Sequence, residues 1–140
     1  MNDERYPAEV LGEDDDDGTM PGSLESLGEA VIGHKIVSVE KGEIKKDSWW
    51  SRTGLILTLD NGSKVEMIEV DDCCAYTEVE EFFLNPHLVD HVIMGVGTTD
   101  GFNTWHIYAD LGDVLKLKVG WSCGNPFYYG YGFDVRVREL

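Results

Sequence analysis

The side chains with the greatest chemical capacity are three cysteines, Cys73, Cys74 and Cys123, and four histidines, His34, His87, His91 and His106. Together they supply the soft donors that a closed zinc site takes four at a time. Neither a CxxC nor an HxxxH pair occurs, so such a site would have to be gathered from distant segments, and the reading is no metal and no cofactor. A buried free cysteine also serves as a small hydrophobe. A thiol nucleophile needs an imidazole that favours the thiolate. His106, between Trp105 and Ile107, is the residue that would meet Cys73, Cys74 or Cys123 across a sheet. Strand alternation sets His106 opposite Trp105, on one face with Thr104 and Tyr108. The plainer reading is a half-exposed strand histidine without a catalytic role.

Carboxylates come next. Glu13, Asp15, Asp17 and Gly18 imitate the opening of a calcium loop, but the twelfth position, where a bidentate Glu belongs, is Leu24. Asp71 with Asp72, and Asp110 with Asp113, lie beside turns or helix starts, where Asp accepts backbone hydrogen bonds. GxGxxG, GxxxxGK[ST], GxSxG and HExxH are all missing, which leaves the familiar nucleotide and hydrolase routes unsupported.

Surface recognition is the remaining capacity. Trp49, Trp50, Trp121 and Tyr128, with Gly130 and Gly132 on a glycine-rich strand, would form a rigid amphipathic patch of the kind that anchors interfaces. On that last strand Phe127, Tyr129, Tyr131, Phe133, Val135 and Val137 share one face. The other face carries Gly130 and Gly132, which a neighbouring element can approach closely.

The elements that must position these residues follow from periodicity. Residues 1–30 hold ten acidic side chains and one basic one, too little apolar surface to offset ordering. Residues 1–31 are therefore expected as a disordered acidic arm, with at most a helical turn at Leu24–Ala30 capped by Ser23, and 32–140 as one domain. Strands are expected at 34–41, 53–60 and 63–70, the last two joined by a type I′ turn at Asn61-Gly62. A polar loop containing both early tryptophans spans 42–52. Thr77 and Glu80 have capping-box spacing before Val79, Phe82 and Phe83, which predicts a short helix ended by Pro86. Strands at 90–98, 103–110 and 114–121 suggest a meander. The fold class is α+β: a mainly antiparallel twisted sheet of about six or seven strands, curling toward a barrel, with one helix.

A net charge of −16 repels phosphate backbones and anionic lipid, so neither nucleic acid nor membrane is expected as a partner, whereas a protein with a basic surface is. No secretory signal opens the sequence and no run matches a membrane span. An odd cysteine count with two adjacent thiols reads as reduced.

The strings Asp72-Cys73-Cys74-Ala75-Tyr76, Thr104-Trp105-His106-Ile107-Tyr108-Ala109-Asp110 and Gly120-Trp121-Ser122-Cys123-Gly124-Asn125-Pro126, followed by Tyr128-Tyr129-Gly130-Tyr131-Gly132-Phe133, resemble an uncharacterised domain family of actinobacterial bacteriophages, over roughly residues 32–137. The resemblance implies action in the host cytoplasm or the virion and carries over no catalytic role. The expected function is a non-enzymatic accessory module that binds a host or viral protein. The alternatives are a small-ligand binder or cysteine/histidine enzyme with a pocket near Cys73, His106 and Cys123, and a structural virion component.

Overall fold

The computed structural model describes Tyr6 and residues 19–47, 50–71, 76–122 and 133–138. In chain order these form helix α1 (Thr19–Val31) and strands β1 (Ile36–Asp47), β2 (Trp50–Leu59), β3 (Lys64–Ile68), β4 (Val70–Asp71), β5 (Tyr76–Leu84), β6 (Gly95–Thr99), β7 (Thr104–Ala109), β8 (Gly112–Ser122) and β9 (Asp134–Arg138). The strands make two antiparallel sheets, β1-β2-β3-β9 and β4-β5-β8-β7-β6. The expected single sheet is thus corrected to two, and neither closes into a barrel. Alternation reports which face of a strand is apolar but not which sheet it joins.

Helix α1 belongs to the core, although it falls within residues expected to be a disordered arm. Met20, Ser23, Leu27 and Val31 are buried while Pro21, Glu25, Ser26 and Glu29 face out, an apolar stripe at helical spacing. Mean composition concealed that stripe. The core-forming chain accordingly starts before the expected boundary at Ile32, and the turn foreseen at Leu24–Ala30 is the middle of a longer helix. Ser23 caps nothing. Its hydroxyl donates to the Phe133 carbonyl at 3.1 Å and accepts the Phe133 N–H at 2.9 Å, fastening α1 to the start of β9.

The helix expected at Thr77–Phe83 is strand β5. Its register against β8 shifts between Val79 and Glu81, a bulge in which Glu80 is the extra residue. That insertion reverses the parity of the rest of the strand. The Val79, Phe82, Phe83 spacing that imitates a helix is a period of two interrupted once. Within the polar loop expected at 42–52, residues 42–47 and 50–52 are strand, since β1 and β2 pair as far as Asp47 and Trp50, with Ile44 buried. The hairpin at Asn61-Gly62 is present with a different turn. Gly62 donates to the Leu59 carbonyl at 3.0 Å and is the loop residue with positive φ, at 87°. This is the longer loop in which a single left-handed residue closes the hairpin. Asn61 Oδ1 accepts the Ser63 N–H at 3.0 Å. The expected meander is β6-β7-β8.

One apolar cluster joins α1 to both sheets. Trp105 lies fully buried in it, edge-on to Phe133 at 5.2 Å and to Phe102 at 6.1 Å. A polar clamp ties the sheets on the other side. The Lys41 ammonium donates to the Val79 carbonyl and pairs with Glu69 at 3.3 Å, while Glu69 accepts the Val79 N–H at 2.8 Å. No helix among the described residues is long and apolar enough to cross a membrane.

Candidate functional site

The outer face of the five-stranded sheet carries the polar chemistry. On β7, Trp105, Ile107 and Ala109 point into the core, which leaves Thr104, His106 and Tyr108 outward. Register sets Gly95 beside Tyr108, Gly97 beside His106 and Thr99 beside Thr104. On the other flank Lys118 lies beside Thr104, Lys116 beside His106 and Asp113 beside Tyr108.

His106 is on the face its alternation required, but it is 6% exposed rather than half-exposed. The cover is Tyr6, whose ring stacks on the imidazole at 3.9 Å and 13° between planes. The Tyr6 hydroxyl donates to Asp113 Oδ1 at 2.7 Å, and its ring meets Tyr108 edge-on at 5.6 Å. The second carboxylate oxygen, Oδ2, lies 2.8 Å from His106 Nδ1. A carboxylate only accepts, so Nδ1 carries a proton toward Asp113, while Nε2 and the Thr99 hydroxyl are hydrogen-bonded at 2.9 Å. Thr99, His106 and Asp113 are spaced by seven residues each, which two tight hairpins turn into one row across three strands.

Two glycines make this geometry fit. A Cβ at Gly97 would stand 2.5 Å from the Cβ of Tyr6, and one at Gly95 would collide with the Tyr108 phenol. A side chain at either position on edge strand β6 would lift the aromatic ring away.

The order hydroxyl, imidazole, carboxylate is the one that activates a hydroxyl nucleophile. Here the Tyr6 ring covers the imidazole, and the row is a closed, fully satisfied network. Among the described residues no group of three His, Cys, Asp or Glu side chains is placed to hold a metal ion.

Along β5 and β8 runs an open groove of about 830 Å³. Tyr76, Phe82, Phe83 and Trp121 give it apolar surface, Lys116 and Lys118 give it positive charge, and Glu80, Glu81 and Asp100 give it negative charge. Phe83 is 62% exposed, Tyr76 40% and Phe82 38%. At one end lies the β6–β7 turn, where Asp100, Gly101 and Phe102 have φ of 58°, 62° and 65°. Left-handed backbone is costly for a non-glycine residue. It is held here by the burial of Phe102 and by two indoles, Trp105 Nε1–H donating to the Phe102 carbonyl and Trp121 Nε1–H to the Gly101 carbonyl, each at 2.9 Å.

Of the residues singled out by sequence, His106 is thus on the outer face, and Trp121, near the end of β8, packs against the core. Trp121 is half-buried and braces the turn while lining the groove. Trp50 opens β2 opposite Asp47. Cys73, Cys74, Cys123, Trp49, Tyr128, Gly130 and Gly132 lie outside the described residues, as does the aromatic face before Phe133. Sequence reasoning passed over Tyr6, Thr99 and the partnership of Asp113 with His106. The repeated seven-residue spacing was the available signal for the last two. Nothing marked Tyr6.

Residues 29–135 match a family described as a domain of unknown function, DUF7448, and the chain belongs to that family. No curated protein and no solved structure matches.

Proposed function

We propose that this member of DUF7448 is a non-enzymatic accessory protein of an actinobacterial bacteriophage that binds a host or viral protein along the groove of its five-stranded sheet, in the host cytoplasm. The observation that carries the reading is the exposure of three aromatics along β5, Phe83, Tyr76 and Phe82, lining a groove that also holds Lys116 and Lys118. Large aromatics left in water along a groove are a recurrent mark of an interaction surface. The net charge of −16 would steer a partner with a basic surface toward the protein. Lys116 and Lys118 would then meet carboxylates of that partner inside the groove. The resemblance to phage sequences supports the setting. The enzyme alternative, with a pocket near Cys73, His106 and Cys123, is less well supported, because Asp113 and Thr99 occupy both ring nitrogens of His106.

The experiment is affinity capture with the full chain at low salt, followed by titration of the recovered partner against wild type and a Phe83→Ala, Tyr76→Ala double variant. Two anchors of about 2 kcal/mol each predict a loss of at least a hundredfold, with association slowed by added salt. Unchanged affinity in the double variant would exclude the groove. A high-copy band in purified particles would instead mark a structural virion component.

A further inference from the structure

We infer that the outer face of the five-stranded sheet contains a binding slot for a tyrosyl side chain, or more generally a para-substituted phenol, and that Tyr6 of the chain's own N-terminal segment is its resident occupant. The slot is distinct from the aromatic groove and does not depend on the function proposed for it. Each wall answers one part of a phenol. Asp113 Oδ1 accepts the hydroxyl at 2.7 Å, the His106 ring lies parallel to the phenol ring at 3.9 Å, and Tyr108 closes one edge at 5.6 Å. The floor is Gly97, whose missing Cβ leaves room for the ligand's own Cβ.

The walls named for the slot all belong to the sheet. Asp113 is fixed by His106, and His106 by Thr99, so the acceptor and the stacking surface are already oriented before a phenol arrives. Preorganisation of this kind lowers the cost of binding. Tyr6 lies 107 residues from Asp113 in sequence and is joined to α1 by residues 7–18. The contact is therefore intramolecular and favoured by effective concentration. A tyrosine presented by another chain satisfies the same walls and displaces it.

The test uses the full chain carrying Tyr6→Ala, with p-cresol as the probe, read by NMR at the Gly97 amide and the His106 ring. p-Cresol is expected to saturate with a dissociation constant on the order of 1 mM, as suits so small a ligand. It should return the His106 ring protons upfield toward their wild-type positions. Toluene, which lacks the hydroxyl for Asp113, should bind at least tenfold more weakly, and wild type should show no change at the same concentrations. Gly97→Ala provides the independent arm: its methyl group should expel Tyr6, abolish the upfield shift and block p-cresol, with the far-UV spectrum unchanged. The inference is overturned if p-cresol leaves the His106 and Gly97 signals of Tyr6→Ala unmoved, if toluene binds equally well, or if Tyr6 stays stacked in Gly97→Ala.

Discussion

Replacing Ser23 by Ala sets two ordinary rules against each other, and the structure says which wins. Within a helix the change exchanges a residue of middling propensity for the best one, a gain of roughly 0.5 kcal/mol. The Ser23 hydroxyl, however, is 6% exposed and serves both the N–H and the carbonyl of Phe133. Alanine leaves both backbone groups without that partner, and each buried orphan costs about 1–3 kcal/mol. The net expectation is a loss of about 1.5–5.5 kcal/mol. With a urea dependence of about 2 kcal/mol per molar, the unfolding midpoint should fall by roughly 1–3 M. Circular dichroism during urea titration measures it. Ser26 lies on the exposed side of the same helix, and Ser26→Ala should raise the midpoint slightly. If both variants behave alike, α1 does not pack against β9 as described, and the account of the N-terminal boundary fails with it.

Trp121→Phe keeps an aromatic ring but removes the donor to the Gly101 carbonyl, so stability should drop by about 0.5–1.5 kcal/mol. Amide exchange should accelerate at 100–103 and not at the Asn61-Gly62 hairpin; equal exchange in both turns would contradict the bracing role. The carboxyls of Asp60 and Asp110 are held below their ordinary value of 3.8 chiefly by hydrogen bonds from His34 and His91. A folded value below the unfolded one stabilises above that pH, and the contribution is lost as pH falls through the lowered folded values. Carbon-detected NMR titration should show both groups still ionised near pH 3.8, and His34→Ala or His91→Ala should return the paired carboxyl to its ordinary range.

Periodicity revealed the strands whose parity is unbroken. β7 falls close to where alternation put it, as does the outward face of His106; β8 does too although Val114 is inserted in its pairing with β7, and β6 keeps only the second half of the expected strand 90–98, starting at Gly95. Parity failed where one residue was inserted, as Glu80 turned an alternating strand into a helical pattern. It also failed in the stretch 42–52, where mostly polar residues pair between β1 and β2 and Ile44 is buried. Composition failed at α1, because ten acidic residues outweighed the stripe from Met20 to Val31. The site was half legible. Thr99, His106 and Asp113 stand at equal spacing, but a row of equal spacings becomes a hydrogen-bonded chain only once both hairpins are known to be tight. Tyr6 reaches that row through tertiary folding alone, for which no local pattern exists.

The placement of β9 has a consequence for the order of assembly. β3 finds its second neighbour only after β4 through β8 have been made, since β9 begins at Asp134 and pairs with Lys64–Ile68. During synthesis the first sheet therefore emerges with β3 as a bare edge, and Ser23 waits for Phe133. Contacts this distant in sequence close slowly, and an unpaired edge is the part of a nascent sheet most prone to pair with another chain. Arg136 and Arg138 arrive on the strand that ends this interval, where Arg138 meets the buried Glu66 of β3 at 3.1 Å. A ribosome-bound chain stopped before Asp134 would present that open edge, and β9 acts as the seal on the sheet that β1 began.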